Sequence, residues 1–233
     1  MSVPAQTLAP EGQFVIEVAG EALHLLHERA AYWPAGRMLL VADAHFGKAA
    51  SFRAQGVPVP GGTTEETLTR LDAVVARCGA LRIAFLGDFL HSRQGRVPGT
   101  LEALAAWRAR QAGLELLLVR GNHDARAGDP PESLGMRVES EPHTAGPWLL
   151  CHEPGPRAGG YVLAGHIHPA LRMTGRARES LRLPCFWFGA ASAVLPAFGA
   201  FTGTAVVEPG VADRVCVIAG TRVLEVPAPQ RRR

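Results

Sequence analysis

The sequence predicts an α/β protein of two stacked sheets flanked by helices, and three observations predict it. Residues up to about 135 alternate β-type apolar runs with helical periodicity. Beyond 135 the helical periodicity nearly vanishes and short strands follow one another between turns. The chain has 233 residues with 47% hydrophobic content, enough for one large core. A single domain over 1–226 is expected, followed by a disordered basic tail at 227–233.

Taken in chain order, "FVIEV" and "ALHLLH" read as a hairpin closed by "AGE" and leading to "RMLLVADAH", a buried strand. "TTEETLTRLDAVVARCG" reads as a helix. Its N-cap is Thr63, with Glu66 three residues on, its apolar stripe runs through Leu68, Leu71, Val74 and Val75, and Gly79 stops it. "LRIAFLGDFL" is the next strand, "PGTLEALAAWRARQAG" a helix with Pro98 and Gly113 near its ends, and "LELLLVRGNHD" a further strand. Strand and helix alternate here, which predicts a largely parallel sheet. The second half reads as the strands "RVESE", "WLLCHEP", "YVLAGHIHP", "LPCFWFG", "GTAVVEP", "VCVIAG" and "RVLEVP", a second sheet stacked on the first.

Composition excludes several classes. A net charge of +3 is too slight to announce a nucleic-acid-binding protein by itself, and the cationic side chains are almost all arginine, Lys48 being the only lysine. Cys78, Cys151, Cys185 and Cys216 form no C-x-x-C pair, so neither a zinc ribbon nor a redox dithiol is expected, and a reducing cytoplasm fits. The opening "MSVPAQTLAPEGQ" has no basic segment followed by an apolar one, and no apolar run approaches the roughly 20 residues of a membrane span. Neither secretion nor membrane insertion is expected. Trp33, Trp107, Trp148 and Trp187 form no stacking stripe and are assigned to the core, while His24, His27 and His143 are assigned structural or surface roles.

The chemistry gathers where the apolar runs stop. "LLVADAH" delivers Asp43 and His45, "IAFLGD" Asp88, "LLLVRGNHD" Asn122, His123 and Asp124, "WLLCH" His152, and "YVLAGHIH" His166 and His168. Ligand sites of open α/β sheets lie at such carboxyl ends. The i, i+2 spacing of Asp43 with His45, and of His166 with His168, puts each pair on one side of an extended chain. The glycines before Asp88, Asn122 and His166 allow close backbone approach. Carboxylates, imidazoles and one amide oxygen suit a divalent metal such as Mn²⁺, Fe²⁺ or Zn²⁺, and the absence of cysteine among them argues against a structural zinc cage. Seven ligands are too many for one open catalytic ion and suffice for two ions sharing a carboxylate.

The ordered set D-x-H, G-D, G-N-H-D, C-H and G-H-x-H over 43–168 resembles the calcineurin-like metallophosphoesterase superfamily. That resemblance implies a four-layer α-β-β-α sandwich of two mixed sheets. It implies a first metal on Asp43, His45, Asp88 and His168 and a second on Asp88, Asn122, His152 and His166, with Asp88 as the bridge. His123 is implied as general acid or phosphate-polarising group and Asp124 as the residue orienting its imidazole. Two departures from the superfamily pattern are present: "GDFLHS" puts His91 where a second acidic residue is common, and "CH" stands where "GH" is frequent. A narrower stretch, "ADAHFGKAASFRAQGVPVPGGTTEETLTRLDAV" with "GDFLHS" and "GNHD", is similar to the bacterial ligase-associated DNA-damage-response endonucleases of the PdeM type. This implies manganese-dependent phosphodiesterase activity on DNA, single-stranded or structured, beside an ATP-dependent DNA ligase, a nuclease and a helicase.

Under that reading a hydroxide bridging two ions attacks phosphorus and His123 protonates the leaving side. Lys48, Arg53, His91 and Arg93 are candidates for contact with the substrate, with a solvated helix face as the plain alternative for Lys48 and Arg53 and, on the loop that Arg93 shares with Arg96, solubility as the alternative for both arginines. Two other functions use the same residues or the same fold: a phosphomonoesterase or small-nucleotide phosphodiesterase, and a non-catalytic protein-binding scaffold.

Overall fold

The computed structural model describes residues 13–174 and 180–227. The first sheet takes seven strands in the order in which the chain makes them: β1 (Gln13–Val18), β2 (Glu21–Leu26), β3 (Ala30–Trp33), β4 (Met38–Val41), β5 (Arg82–Leu86), β6 (Glu115–Val119) and β7 (Met136–Glu139). Links from β1 to β4 are antiparallel, as tight turns allow, and links from β4 to β7 are parallel. Parallel links need crossovers. They are made by α1 (Lys48–Ala54) and α2 (Thr63–Cys78) before β5, α3 (Pro98–Arg110) before β6, and α4 (Asn122–Ala127) before β7.

The second sheet has nine strands: β8 (His143–Ala145), β9 (Trp148–Leu150), β10 (Tyr161–Ala164), β11 (Pro169–Thr174), β12 (Ser180–Phe188), β13 (Ser192–Val194), β14 (Ala205–Val206), β15 (Arg214–Ala219) and β16 (Arg222–Val226). The spatial order runs β14-β11-β12-β13-β10-β9-β8, and β15 pairs with both β12 and β16. Both sheets are mixed, and with their helices they form the expected α/β sandwich. The helices are few, and among the described residues all of them lie between β4 and β7 in sequence.

Alternation along β4, β5 and β6 explains why these strands read as unbroken apolar runs. Leu40, Ala84, Leu86, Leu117 and Val119 face the second sheet and meet Leu150, Leu163, Phe186 and Phe188. Their neighbours Leu39, Val41, Ile83, Phe85, Leu116 and Leu118 face outwards onto Leu71 and Val74 of α2 and Leu104 and Trp107 of α3. A strand covered on both faces has no wet side, so it carries no polar alternation.

Three expectations are corrected. The strand "RVESE" is β7 of the first sheet, hydrogen-bonded parallel to β6, so the switch between sheets comes after Glu139 and not near 135. The α2 helix is capped by Gly62, whose φ of 81° turns the chain into the helix; Thr63 is the first helical residue, and no side chain caps the turn. The short strand β3, between "ALHLLH" and "RMLLV", was hidden by its Ala-Ala-Tyr-Trp composition and a two-sided turn context. Gly79, with φ of 61°, does end α2, and Pro98 does open α3. Of the tail at 227–233, residues 228–233 lie outside the described residues. No helix among the described residues is long and apolar enough to cross a membrane.

Candidate metal centre

β4, β5 and β6 of the first sheet and β9 and β10 of the second all end beside one another, and each releases its polar residues at that end. The i, i+2 pairs do not converge by extended geometry. Asp43, His45, Asp88, His166 and His168 all have positive φ, between 46° and 71°, and among the described residues they are five of the eight non-glycine residues with that conformation. Left-handed backbone is unfavourable for residues with a Cβ, and its concentration at one spot marks a site held by its surroundings. The chain therefore bends out of each strand to present these side chains.

Three glycines make room for the bends. A Cβ on Gly87 would lie 2.1 Å from Nδ1 of His152, one on Gly121 2.4 Å from Oδ1 of Asp88, and one on Gly165 2.6 Å from Oδ2 of Asp43. All three distances are below any real Cβ contact, so close approach of backbone to site is what these positions demand.

Two groups of donor atoms result. In the first, Nε2 of His45 lies 3.3 Å from Nε2 of His168 and 3.8 Å from Oδ2 of Asp88, and Nε2 of His168 lies 3.4 Å from Oδ1 of Asp43. In the second, Nε2 of His152 lies 2.8 Å from Oδ1 of Asn122, 3.0 Å from Nδ1 of His166 and 3.4 Å from Oδ1 of Asp88. Nδ1 of His152 sits 3.1 Å from the Leu86 carbonyl, to which it donates, and this tautomer leaves the Nε2 lone pair free to coordinate a metal. Asp88 thus gives one oxygen to each group.

Burial makes the case for a cation. Asp43, His45, Asp88 and His152 are all at most 4% exposed, whereas His166 lies open at the mouth. Oδ1 of Asp43 is buried without a hydrogen-bond partner. Burial pushes the Asp88 carboxyl above its ordinary range, and burial, with Lys48 next, holds His45 well below the ordinary imidazole value, so His45 is a neutral donor. An orphaned buried carboxylate oxygen facing the imidazole nitrogens of His168 and His152 fits a divalent metal.

The residues around these groups are placed as follows. His123 donates its backbone N–H to Oδ1 of Asp88 at 2.9 Å, its Nδ1 lies 2.7 Å from the His91 carbonyl, and its Nε2 lies 3.9 Å from Oδ2 of Asp88. Asp124 does not orient the His123 ring. Its two oxygens accept the backbone N–H groups of Gly121 at 2.9 Å and Leu90 at 3.2 Å, because the first turn of α4 points this buried carboxylate back at the loops. Burial pushes the Asp124 carboxyl up to about 6 against those two donors.

His91 stacks on His123 with ring centroids 4.8 Å apart and on Phe52 at 6.1 Å, and its Nδ1 is 3.4 Å from that of His45. Burial, then Lys48, lowers its imidazole to about 4. Lys48 is half-buried and electrostatically coupled to Asp43 and Asp88; burial lowers its ammonium against their pull. Arg53 and Arg93 are exposed and stand outside both donor groups, Arg53 bonded to the Val59 and Pro60 carbonyls and Arg93 to that of Arg126. Arg96 holds the carbonyls of Gly128 and Asp129. Glu141 escaped the sequence reading: its Oε2 accepts the N–H groups of His152 at 2.7 Å and Glu153 at 3.0 Å, fixing the exit of β9. No motif spacing announces it.

Neither a protein-family model nor a curated protein matches the chain. Among solved structures, the Pseudomonas putida nuclease MPE is similar at 45% identity and a TM-score of 0.81, over 92% of this chain and 100% of that one. A phosphoesterase from E. coli, Yfce, matches at 12% identity and a TM-score of 0.40, over 82% of this chain and 99% of that one.

Proposed function

From a chain that belongs to the metallophosphoesterase family of the Pseudomonas putida nuclease MPE, we propose a two-metal phosphodiesterase that cuts DNA as an endonuclease in repair. The observation that carries the two-metal reading is the division of Asp88, whose Oδ2 faces His45 and whose Oδ1 faces His152. Asp43, His45, Asp88 and His168 hold the first ion in this reading, and Asp88, Asn122, His152 and His166 the second. Manganese is the ion favoured by the resemblance to PdeM-type enzymes, and iron and zinc accept the same donors. Bound ions supply charge neutralisation at the phosphoryl oxygens and a water acidic enough to lose its proton near neutral pH.

The chain's own residues do the rest. His123, anchored at Nδ1 by the His91 carbonyl, keeps Nε2 at the cleft, where the imidazolium form would pass its Nε2 proton to the leaving oxygen and revert to the neutral ring. Its side chain is 31% exposed, so it reaches both solvent and substrate. Lys48 offers a positive charge beside Asp43 and Asp88, where the phosphodiester would sit. The proposed partners follow the same resemblance: DNA, single-stranded or structured, with an ATP-dependent DNA ligase, a nuclease and a helicase acting alongside in the cytoplasm.

The test is manganese-dependent nicking of single-stranded circular DNA, run beside a phosphomonoester and with the Asp88→Asn protein as control. Nicked circles that depend on Asp88 are expected. Monoester hydrolysis with intact circles would make the protein a phosphomonoesterase, and a folded, metal-loaded protein without either activity would make it a scaffold.

A further inference from the structure

α1 packs against the fold with its small residues and leaves its one aromatic ring partly out. Ala49, Ala50 and Ser51 are its buried side chains, whereas Phe52 is only half-buried. An apolar ring gains more from burial than an alanine or a serine, so this inversion sets Phe52 apart. Phe201, in the loop between β13 and β14, is half-buried as well. Among the described residues every other phenylalanine, tyrosine and tryptophan belongs to an apolar cluster of the core or packs against one, and Phe52 and Phe201 do neither.

These two rings meet each other and lead to the metal centre. Their centroids are 5.8 Å apart with the planes at 89°, an edge-to-face pair. In such a pair one ring keeps both faces clear of its partner and the other keeps one. The His91 ring, 6.1 Å from Phe52 and tilted by 26°, takes at most one of those three faces. Two faces therefore stand outside the ring contacts among the described residues. From His91 the rings of His123 and His45 lie 4.8 Å and 5.2 Å on, so Phe52 stands two ring contacts from a proposed metal donor. Lys48 precedes Phe52 by four residues on α1, which sets ammonium and ring on one side of the helix. Phe201 lines the same hollow as His45 and Lys48.

A cation beside the donors, with aromatic faces next to it, matches the two ends of a nucleotide, its phosphate and its base. Every base has a π-face, so such rings hold bases without reading their identity. We infer that Phe52 and Phe201 form a stacking platform for a nucleobase of the strand whose phosphodiester is held at the metal centre. The inference rests on the phosphodiesterase reading above and deepens it, because a platform of this kind favours strands whose bases are open to stacking over diesters that carry none.

The experiment compares manganese-dependent kcat/KM on a single-stranded oligodeoxynucleotide with that on an abasic strand of the same length, in which hydrogen replaces every base. The two substrates carry the same phosphates and differ in the bases alone. Wild type, Phe52→Leu, Phe201→Leu and Phe52→Trp are compared, with Tm as the check on folding. The wild type is expected to favour the base-bearing strand on the order of tenfold, through KM. Each leucine variant is expected to lower that ratio severalfold, and Phe52→Trp to keep or raise it. Taking the ratio cancels a displacement of His91, which would affect both strands alike. An unchanged ratio in both leucine variants at wild-type Tm would overturn the inference. A fall as large in Phe52→Trp as in Phe52→Leu would make the residue structural and overturn it too. So would a wild type that cuts both strands equally well, which leaves the phosphodiesterase reading standing. Cleavage of neither strand would remove that reading and the platform with it.

Discussion

The His123 ring is held at Nδ1 by the backbone carbonyl of His91, 2.7 Å away, so its free Nε2 faces the centre whatever the residue at position 91 carries as a side chain. This separates two roles. His123→Ala is expected to lower kcat by about 10²–10⁴ with metal content intact, since on the proposed reading a proton donor is lost and the seven residues proposed to hold the ions remain. His91→Ala keeps the carbonyl and is expected to cost less. Metal analysis beside steady-state kinetics checks both; loss of metal in His123→Ala would instead make it a ligand with His45 and His91, whose nitrogens gather close to its own. Asp124 belongs to another function, that of bonding the Gly121 and Leu90 backbone and so joining the exits of β5 and β6.

At the scale of elements, the centre depends on how closely the loops after β5 and β6 approach. Gly121 stands where a methyl group would meet Oδ1 of Asp88 at 2.4 Å and the Asp88 nitrogen at 2.6 Å. Gly121→Ala is therefore expected to push the two loops apart, reduce bound metal and destabilise the fold by about 1–3 kcal/mol. Gly113→Ala, where a Cβ meets no atom within 4 Å, serves as the comparison and is expected to leave Tm nearly unchanged. Thermal unfolding with metal analysis of both proteins decides the point; equal stability and loading would show that the approach of these loops is not limiting.

For the whole molecule, the sandwich divides its interior into compartments, and the thiols report on them. Cys216 lies between the sheets, Cys185 lies in the cluster with Val215 and Val217, and Cys151 lies with Leu149 and Val162. Burial raises these thiols to about 12, 12 and 11. At pH 8 their thiolate fractions are about 10⁻³ or less, and the groups are also shielded from reagent. Only Cys78, part-exposed at the end of α2, is expected to react with an aromatic disulfide reagent in the native protein, and all four in denaturant. Rapid reaction of a second thiol in the native state would show that the two-sheet interior opens.

The sequence alone determined the layered α/β class, the strand ends that carry polar groups and the residues that gather at the candidate site, because burial on both faces writes strands as unbroken apolar runs and polar groups interrupt them abruptly. It also determined Gly87, Gly121 and Gly165 as points of close approach. Only the tertiary structure decided how the donors converge, through left-handed bends at Asp43, His45, Asp88, His166 and His168 and not through strand alternation. It alone placed β7 in the first sheet, moved Asp124 from the His123 ring to the backbone, and brought in Glu141. The physical reason is the same throughout: side-chain chemistry and periodicity are local and can be read along the chain, whereas backbone carbonyls, N–H groups and loop-to-loop distances acquire partners only when distant segments meet.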